Sequence, residues 1–186
     1  LLVQDPTNGE VYDDLSQVYW TTIDIPRDTM RLVAEVVASQ ATDVDLFIGT
    51  GDTPSEDTEL CASASEVWVE YCNLDQPARG TYWVLVQNWL GTGDAPDAIR
   101  AITAVVPFEE IGNLTVTDLD AVAAFELFTL DVSWAEPSLV NGDFWYAQFS
   151  LGTTRLEAGN LGYVNVDLEF AIPGQYINLL PLVYRN

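Results

Sequence analysis

The sequence predicts an all-β protein built as two antiparallel β-sandwiches. Hydrophobic residues recur with a period of two in several runs, which is typical of strands with one buried face. β-Branched and aromatic residues fill these runs, and Gly, Pro, Asn and Asp separate them. The strands follow one another without intervening helices, as expected for stacked antiparallel sheets.

The alternation is clearest in three runs. Residues 30–37 place Met, Leu, Ala and Val on one face, and residues 81–89 place Tyr and two Val there. Residues 129–134 follow the same rule with Leu, Val and Trp. We therefore predict strands near residues 18–25, 30–38, 44–49, 66–72, 81–89, 98–106, 113–117, 127–134, 144–151, 162–169 and 176–184.

One segment has helical spacing, and one marks a domain boundary. Residues 119–127 suit at most a turn of helix, because no stop signal follows them. Residues 106–112 read Val-Pro-Phe-Glu-Glu-Ile-Gly and fall between a completed strand and a new one. We predict a first sandwich over residues 1–106 and a second over 107–186.

Composition excludes several functions. The 186 residues contain 6 basic and 29 acidic side chains, a net charge of −23, and no histidine. This charge repels phosphate backbones, so we expect no nucleic-acid partner. Without histidine there is no Ser-His-Asp or Cys-His unit, and we expect no catalysis by this chain. The acidity suits a halophile or, equally, a secreted protein that binds cations.

The apolar runs and the cysteines indicate where in or outside the cell the protein is expected. No run reaches the length of a membrane-spanning helix, so we expect no integral membrane segment. No basic segment precedes an apolar core at residue 1, which indicates a mature or excised polypeptide. Cys61 and Cys72 are spaced for a disulfide across a short loop, although two unrelated buried thiols are the alternative. The disulfide favours a secreted, extracellular protein, at the cell surface or free.

Residues 43–48, Asp-Val-Asp-Leu-Phe-Ile, resemble a segment of bacterial pre-peptidase C-terminal (PPC) domains. Residues 20–26 resemble the first core strand of that family, and residues 77–86, Pro-Ala-Arg-Gly-Thr-Tyr-Trp-Val-Leu-Val, resemble its closing strand. The cysteines fall where many PPC domains carry a disulfide. The resemblance covers roughly residues 8–106 and implies a jelly-roll-like sandwich.

The second part, through residues 113–116, 130–134, 142–146 and 149–152, resembles an Ig-like sandwich that follows a PPC domain in some secreted subtilisin-like serine peptidases. Residues 119–125 depart from the Pro/Gly-rich turn of that family. The resemblance implies a non-catalytic accessory region, whose peptidase nucleophile and base would lie on an upstream domain.

Two pairs of aspartates are candidate calcium ligands. Asp43 and Asp45 are two apart on a predicted strand, so both carboxylates project from one face. Asp94 and Asp97 lie in a Gly-containing loop. Each pair also suits an ordinary role in loop hydrogen bonding, and neither matches the EF-hand pattern.

Other candidates concern contact surfaces. Most tryptophans fall within strands, where core packing is the usual role, whereas Trp68 and Trp89 lie nearer turns and are candidates for exposed contacts. Leu179, Leu180 and Val183 belong to an apolar stretch that suits a strand completing a neighbour's sheet.

Two functions follow. The first is an accessory region of a secreted subtilisin-like peptidase that stabilises the enzyme, engages protein substrate or assists export, with calcium as the candidate ligand. The alternative is a structural subunit of an extracellular filament or cell-surface assembly, joined to copies of itself through its terminal strands.

Overall fold

The computed structural model describes residues 1–117, 122 and 126–170. The chain divides into two compact units, Leu1–Phe108 and Glu109–Asn186. Regular structure in the described residues consists of eleven strands and two short 3₁₀ turns, Glu56–Thr58 and Arg155–Glu157. The predicted all-β, antiparallel class is confirmed. No helix among these residues is long and apolar enough to cross a bilayer.

Seven strands in two antiparallel sheets form the first unit. One sheet has four strands in the order β1-β6-β3-β4, and the other has three in the order β5-β2-β7. The strands are β1 Tyr19–Ile25, β2 Thr29–Ser39, β3 Asp43–Thr50, β4 Glu59–Ser63, β5 Tyr71–Asp75, β6 Gly80–Leu90 and β7 Ile99–Pro107.

The two sheets share one hydrophobic core. Alternate residues of β2 in one sheet and of β3 and β6 in the other are buried together, so the period-two pattern of the sequence becomes a sandwich. The buried members are Leu32, Ala34, Val36, Val44, Leu46, Ile48, Tyr82, Val84 and Val86.

The outer face of the four-stranded sheet is also covered. Phe47 and Trp83 on this face pack with the side chains of Tyr12 and Leu15 from the segment before β1, residues 5–18, which we call the covering segment. The Tyr12 ring lies edge-on to both, with centroids 6.1 Å from Phe47 and 6.0 Å from Trp83. Because this segment covers the outer face, β3 is buried on both sides and polar residues there lose contact with water.

The disulfide between Cys61 and Cys72 is confirmed. Cys61 lies on β4 and Cys72 on β5, which are edge strands of different sheets. The bond therefore joins the two sheets at one side of the sandwich.

The strand predicted over residues 66–72 is wrong in its position. The cysteines lie on two short strands, β4 and β5, and residues 64–70 form the loop between them. The Glu70 carboxylate at the end of this loop accepts hydrogen bonds from the hydroxyls of Ser63 and Ser65 at its start. These bonds hold the two ends of the loop together in an irregular conformation.

The second unit contains four described strands in two separate antiparallel pairs. These are β8 Leu114–Val116 with β9 Val132–Trp134, and β10 Phe144–Leu151 with β11 Gly162–Glu169. The strand predicted over residues 127–134 is therefore much shorter than expected. Ala147 and Val166 are the buried hydrophobic residues among those described in this unit.

Two predictions fall on residues outside the described part of the chain. The helical turn expected within residues 119–127 falls mostly on 119–121 and 123–125. The strand expected at 176–184, with Leu179, Leu180 and Val183, falls within 171–186. Both stay predictions.

Candidate functional site

Asp97 closes the loop that joins β6 to β7. The Thr92 hydroxyl donates to Oδ1 of its carboxylate, while the Thr92 amide and the Asn88 side-chain amide donate to Oδ2 at 3.1 and 3.0 Å. These bonds, the Thr92 hydroxyl foremost and Asn88 next, hold the pKa of Asp97 below its usual value. Both oxygens of Asp97 thus bond within the fold.

Asp94, the second candidate in this loop, is exposed. It borders an open, polar groove together with Gln4 and Gly93. Among the residues that the structure describes, no group of three or more Asp, Glu, Cys or His side chains is arranged to hold a metal ion. Calcium binding at Asp94 and Asp97 stays a prediction from the sequence.

Asp43 and Asp45 lie at the start of β3, and each is only 7% exposed. Asp45 is paired across the ladder with Gln87 of β6, which carries a side-chain amide. That amide donates to Oδ2 of Asp5 at 2.7 Å and to the Asn8 carbonyl at 3.0 Å. Gln87 thus stabilises the covering segment.

Burial and neighbouring carboxylates raise the pKa values of both aspartates, although a backbone hydrogen bond from Val44 acts in the opposite direction on Asp43. The pKa of Asp45 is raised to about 7, by burial first and then by the charges of Asp43 and Glu70. The pKa of Asp43 is also raised, by burial and then by the charges of Glu70 and Glu66. Oδ1 of Asp43 is buried and has no hydrogen-bond partner in the described structure.

Glu70 completes this acidic cluster, which we define as Asp43, Asp45 and Glu70. Glu70 is 2% exposed, and its carboxylate accepts hydrogen bonds from Ser63 and Ser65, including the Ser65 amide at 2.9 Å. Sequence reasoning missed Glu70 because it is far along the chain from β3. The serines between the two cysteines were the available signal, since short hydroxyls often bond a nearby carboxylate.

The two tryptophans differ in their surroundings. Trp68 is half-buried and packs against the core, whereas Trp89 is 37% exposed beside the exposed Leu90. Trp89 is therefore the better placed of the two for contact with another molecule. Its backbone carbonyl accepts a hydrogen bond from the Asn8 side chain at 2.8 Å, which anchors the covering segment.

Sequence reasoning also missed a buried cation. Arg31 of β2 is fully buried, and its guanidinium donates to Oδ1 of Asn73 at 2.6 Å and to the Tyr71 hydroxyl. Both partners lie on β5, so this group binds two strands of the three-stranded sheet together. The odd-numbered residues of β2 gave no sign of it, because an arginine among alternating residues usually points to solvent.

No family model, curated protein or solved structure matches this chain. The resemblance to PPC domains thus rests on its motifs.

Proposed function

We propose that this chain is a non-catalytic accessory region of a secreted, subtilisin-like peptidase. The observation that supports the proposal is that the PPC-like motifs lie on adjacent strands of one sheet. Residues 43–48 lie on β3, residues 20–25 on β1 and residues 80–86 on β6, which are three adjacent strands of one sheet. The disulfide beside them supports an oxidising, extracellular location.

The role is binding or stabilisation rather than chemistry. The chain has neither a histidine nor a lysine to activate a serine or cysteine for acyl transfer. The exposed pair Trp89 and Leu90 offers an aromatic contact to a protein substrate.

The test is to isolate the native polypeptide and its precursor with an antibody against this chain. A fluorophosphonate probe, which labels active serine hydrolases, should mark a precursor that also contains these residues. A precursor with no labelled serine, and with no peptidase sequence by mass spectrometry, would contradict the proposal.

A second candidate function is a subunit of an extracellular filament. The described strands of the second unit form two-strand ladders, in which every strand has an unpaired edge in the part of the unit that is described. Trp134, Val140 and Leu161 in this unit are about half exposed or more. Isolated two-stranded ladders are marginally stable in water, so a further strand would stabilise the unit.

In the first unit, the backbone around Leu2 is already paired and is not available to a neighbouring copy. Leu2 and Asp97 exchange backbone hydrogen bonds of 2.9 Å within that unit. An added strand in a filament would therefore come from the apolar residues around 179–183.

Electron microscopy and light scattering of the full chain test the filament. If copies join, fibres form with the natural sequence and are lost in the Leu180→Asp variant. They persist in the control Leu156→Asp, since Leu156 is 98% exposed. A monomer under all conditions would overturn this candidate.

A further inference from the structure

The acidic cluster places three buried carboxyl groups near one another in the first unit. Asp43 and Asp45 are both more than nine-tenths buried, and Glu70 is buried beside them. Burying a carboxylate is unfavourable unless donors or a cation compensate its charge. Within the described part of the chain, no arginine forms an ion pair with Asp43 or Asp45.

Strand geometry brings the two aspartate carboxylates to one side. Residues 43 and 45 alternate with Val44, which faces the core, so their side chains share the opposite face of β3. The β3–β6 ladder shifts its register at these residues, because Asp43 pairs with Leu90 whereas Val44 pairs with Asn88. The extra residue belongs to β6, so the alternation along β3 is kept.

The β3–β4 ladder ends before it reaches the two aspartates. The β3–β4 ladder reaches no farther than Leu46 and Ser63, so the β3 edge beside Asp43 and Asp45 is not paired with β4. The loop that follows Ser63 brings Glu70 to this end of the sandwich, where its charge acts on both aspartates.

An independent observation points to a missing partner. Oδ1 of Asp43 is buried and accepts no hydrogen bond in the described structure. Buried carboxylate oxygens in folded proteins nearly always have a partner. At Asp5 and Asp97 of the same unit the partners are plainly visible.

We propose that Asp43 and Asp45 bind a divalent cation of the calcium class. Calcium takes 6–8 oxygen ligands in flexible geometry, and backbone carbonyls and water readily supply those beyond two carboxylates. Glu70 stays bonded to its serines and adds negative charge nearby. This inference goes beyond the proposed function and does not depend on it, because the carboxylates belong to the fold of the first unit itself.

Terbium luminescence and thermal unfolding of the full chain test the site. Tb³⁺ replaces Ca²⁺ at oxygen sites, and the six tryptophans of the chain can sensitise its emission. We expect saturable emission that Ca²⁺ displaces, with a dissociation constant of about 10⁻⁴ to 10⁻³ M, as in extracellular calcium modules. The unfolding temperature should rise with CaCl₂ but not with NaCl of equal ionic strength.

Matched variants locate the ion. Asp43→Asn and Asp45→Asn should each weaken binding at least about tenfold, the loss expected when one ligand goes. Asp52→Asn, at an exposed aspartate of the β3–β4 connection, should bind as the natural chain does. Equal loss in Asp52→Asn, or unchanged binding in both cluster variants, would overturn the proposal.

A measurement on the unaltered chain guards against variants that fail to fold. Carboxyl ¹³C resonances of Asp43 and Asp45 should shift on addition of Ca²⁺, while that of Asp97 should not. Absence of any calcium effect on the first two resonances at 10 mM CaCl₂ would also overturn the proposal.

Discussion

Among the carboxylates that the first unit buries, those at two places have opposite surroundings. At the β6–β7 loop, both oxygens of Asp97 accept hydrogen bonds from Thr92 and Asn88. At the start of β3, Asp43 and Asp45 are buried with an unpartnered oxygen and raised pKa values. The number of donors, rather than the number of acids, thus separates a structural carboxylate from a candidate ligand.

The covering segment lies on the same sheet face as Asp45. It carries Asp5, whose carboxylate accepts a hydrogen bond from the side-chain amide of Gln87, the residue paired with Asp45. The same segment closes the outer face of the sheet with Tyr12. The segment therefore covers the sheet face from which Asp45 projects and takes up the amide of the residue opposite Asp45.

The largest effect should come from the disulfide, which holds the Glu70 loop near β3. The double variant Cys61→Ala/Cys72→Ala should lose about 3 kcal/mol of unfolding free energy, the entropy effect of closing a loop of this length. Urea denaturation measures this loss. The pKa of Asp45 should also fall as Glu70 moves away, whereas that of Asp97 should stay. A variant as stable as the natural chain would show that the disulfide does not contribute to the stability of the two sheets.

Removing charge from Asp97 should destabilise the unit. In Asp97→Asn the amide nitrogen cannot accept from Thr92 or Asn88, so we expect a loss of about 2 kcal/mol in unfolding free energy. Asp94→Asn, in the same loop and exposed, is the control and should change stability by less than about 0.5 kcal/mol. Equal stability of the two variants would mean that the Asp97 hydrogen bonds contribute little.

The same change at Asp45 should act in the opposite direction. Its pKa is about 7 in the fold against 3.8 for an unperturbed aspartate, so the folded chain retains a proton between these values. Stability of the natural chain should therefore fall as pH rises from about 4 to about 7. Without divalent cations, Asp45→Asn should lack this fall and be about 1 to 2 kcal/mol more stable at pH 8.

Urea denaturation at pH 4, 6 and 8 in chelator checks this prediction. A smaller stability in Asp45→Asn at pH 8 would mean that the ionised Asp45 is stabilised by a partner.

The smallest effect concerns the covering segment. The Tyr12 hydroxyl donates to Oε2 of Glu59 at 2.6 Å, and Tyr12→Phe keeps the ring packing while losing that bond. We expect a loss of about 1 kcal/mol in unfolding free energy, and no change in the exposed control Tyr19→Phe. A larger loss would indicate that the segment is held mainly by this bond rather than by its apolar contacts.

The sequence predicted the parts of the fold that depend on local pattern. Alternation located β2 and β6 because one face of each strand packs in the core. It missed β4, a five-residue edge strand whose Leu60 is exposed, since half-exposed short strands show little contrast between faces.

The candidate site was predictable only in part. Spacing along one strand placed Asp43 and Asp45 together, because it depends on residues two apart. Glu70 and the Gln87–Asp5 bond depend on contacts between distant parts of the chain, which local spacing does not encode. For Asp97, the sequence allowed two roles, calcium binding or hydrogen bonding within its loop. The structure shows the hydrogen bonds that close the loop.

The contrast between the two carboxylate environments is tested most directly by an NMR titration of the aspartate carboxyl carbons. In calcium-free solution, Asp45 should titrate near pH 7 and Asp97 below the usual aspartate value. Asp45→Asn assigns the first resonance. On saturation with Ca²⁺, Asp45 should cease to titrate above pH 5, because the bound cation favours its ionised form. Titration of Asp45 near pH 4 in chelator, together with no response to Ca²⁺, would contradict the account.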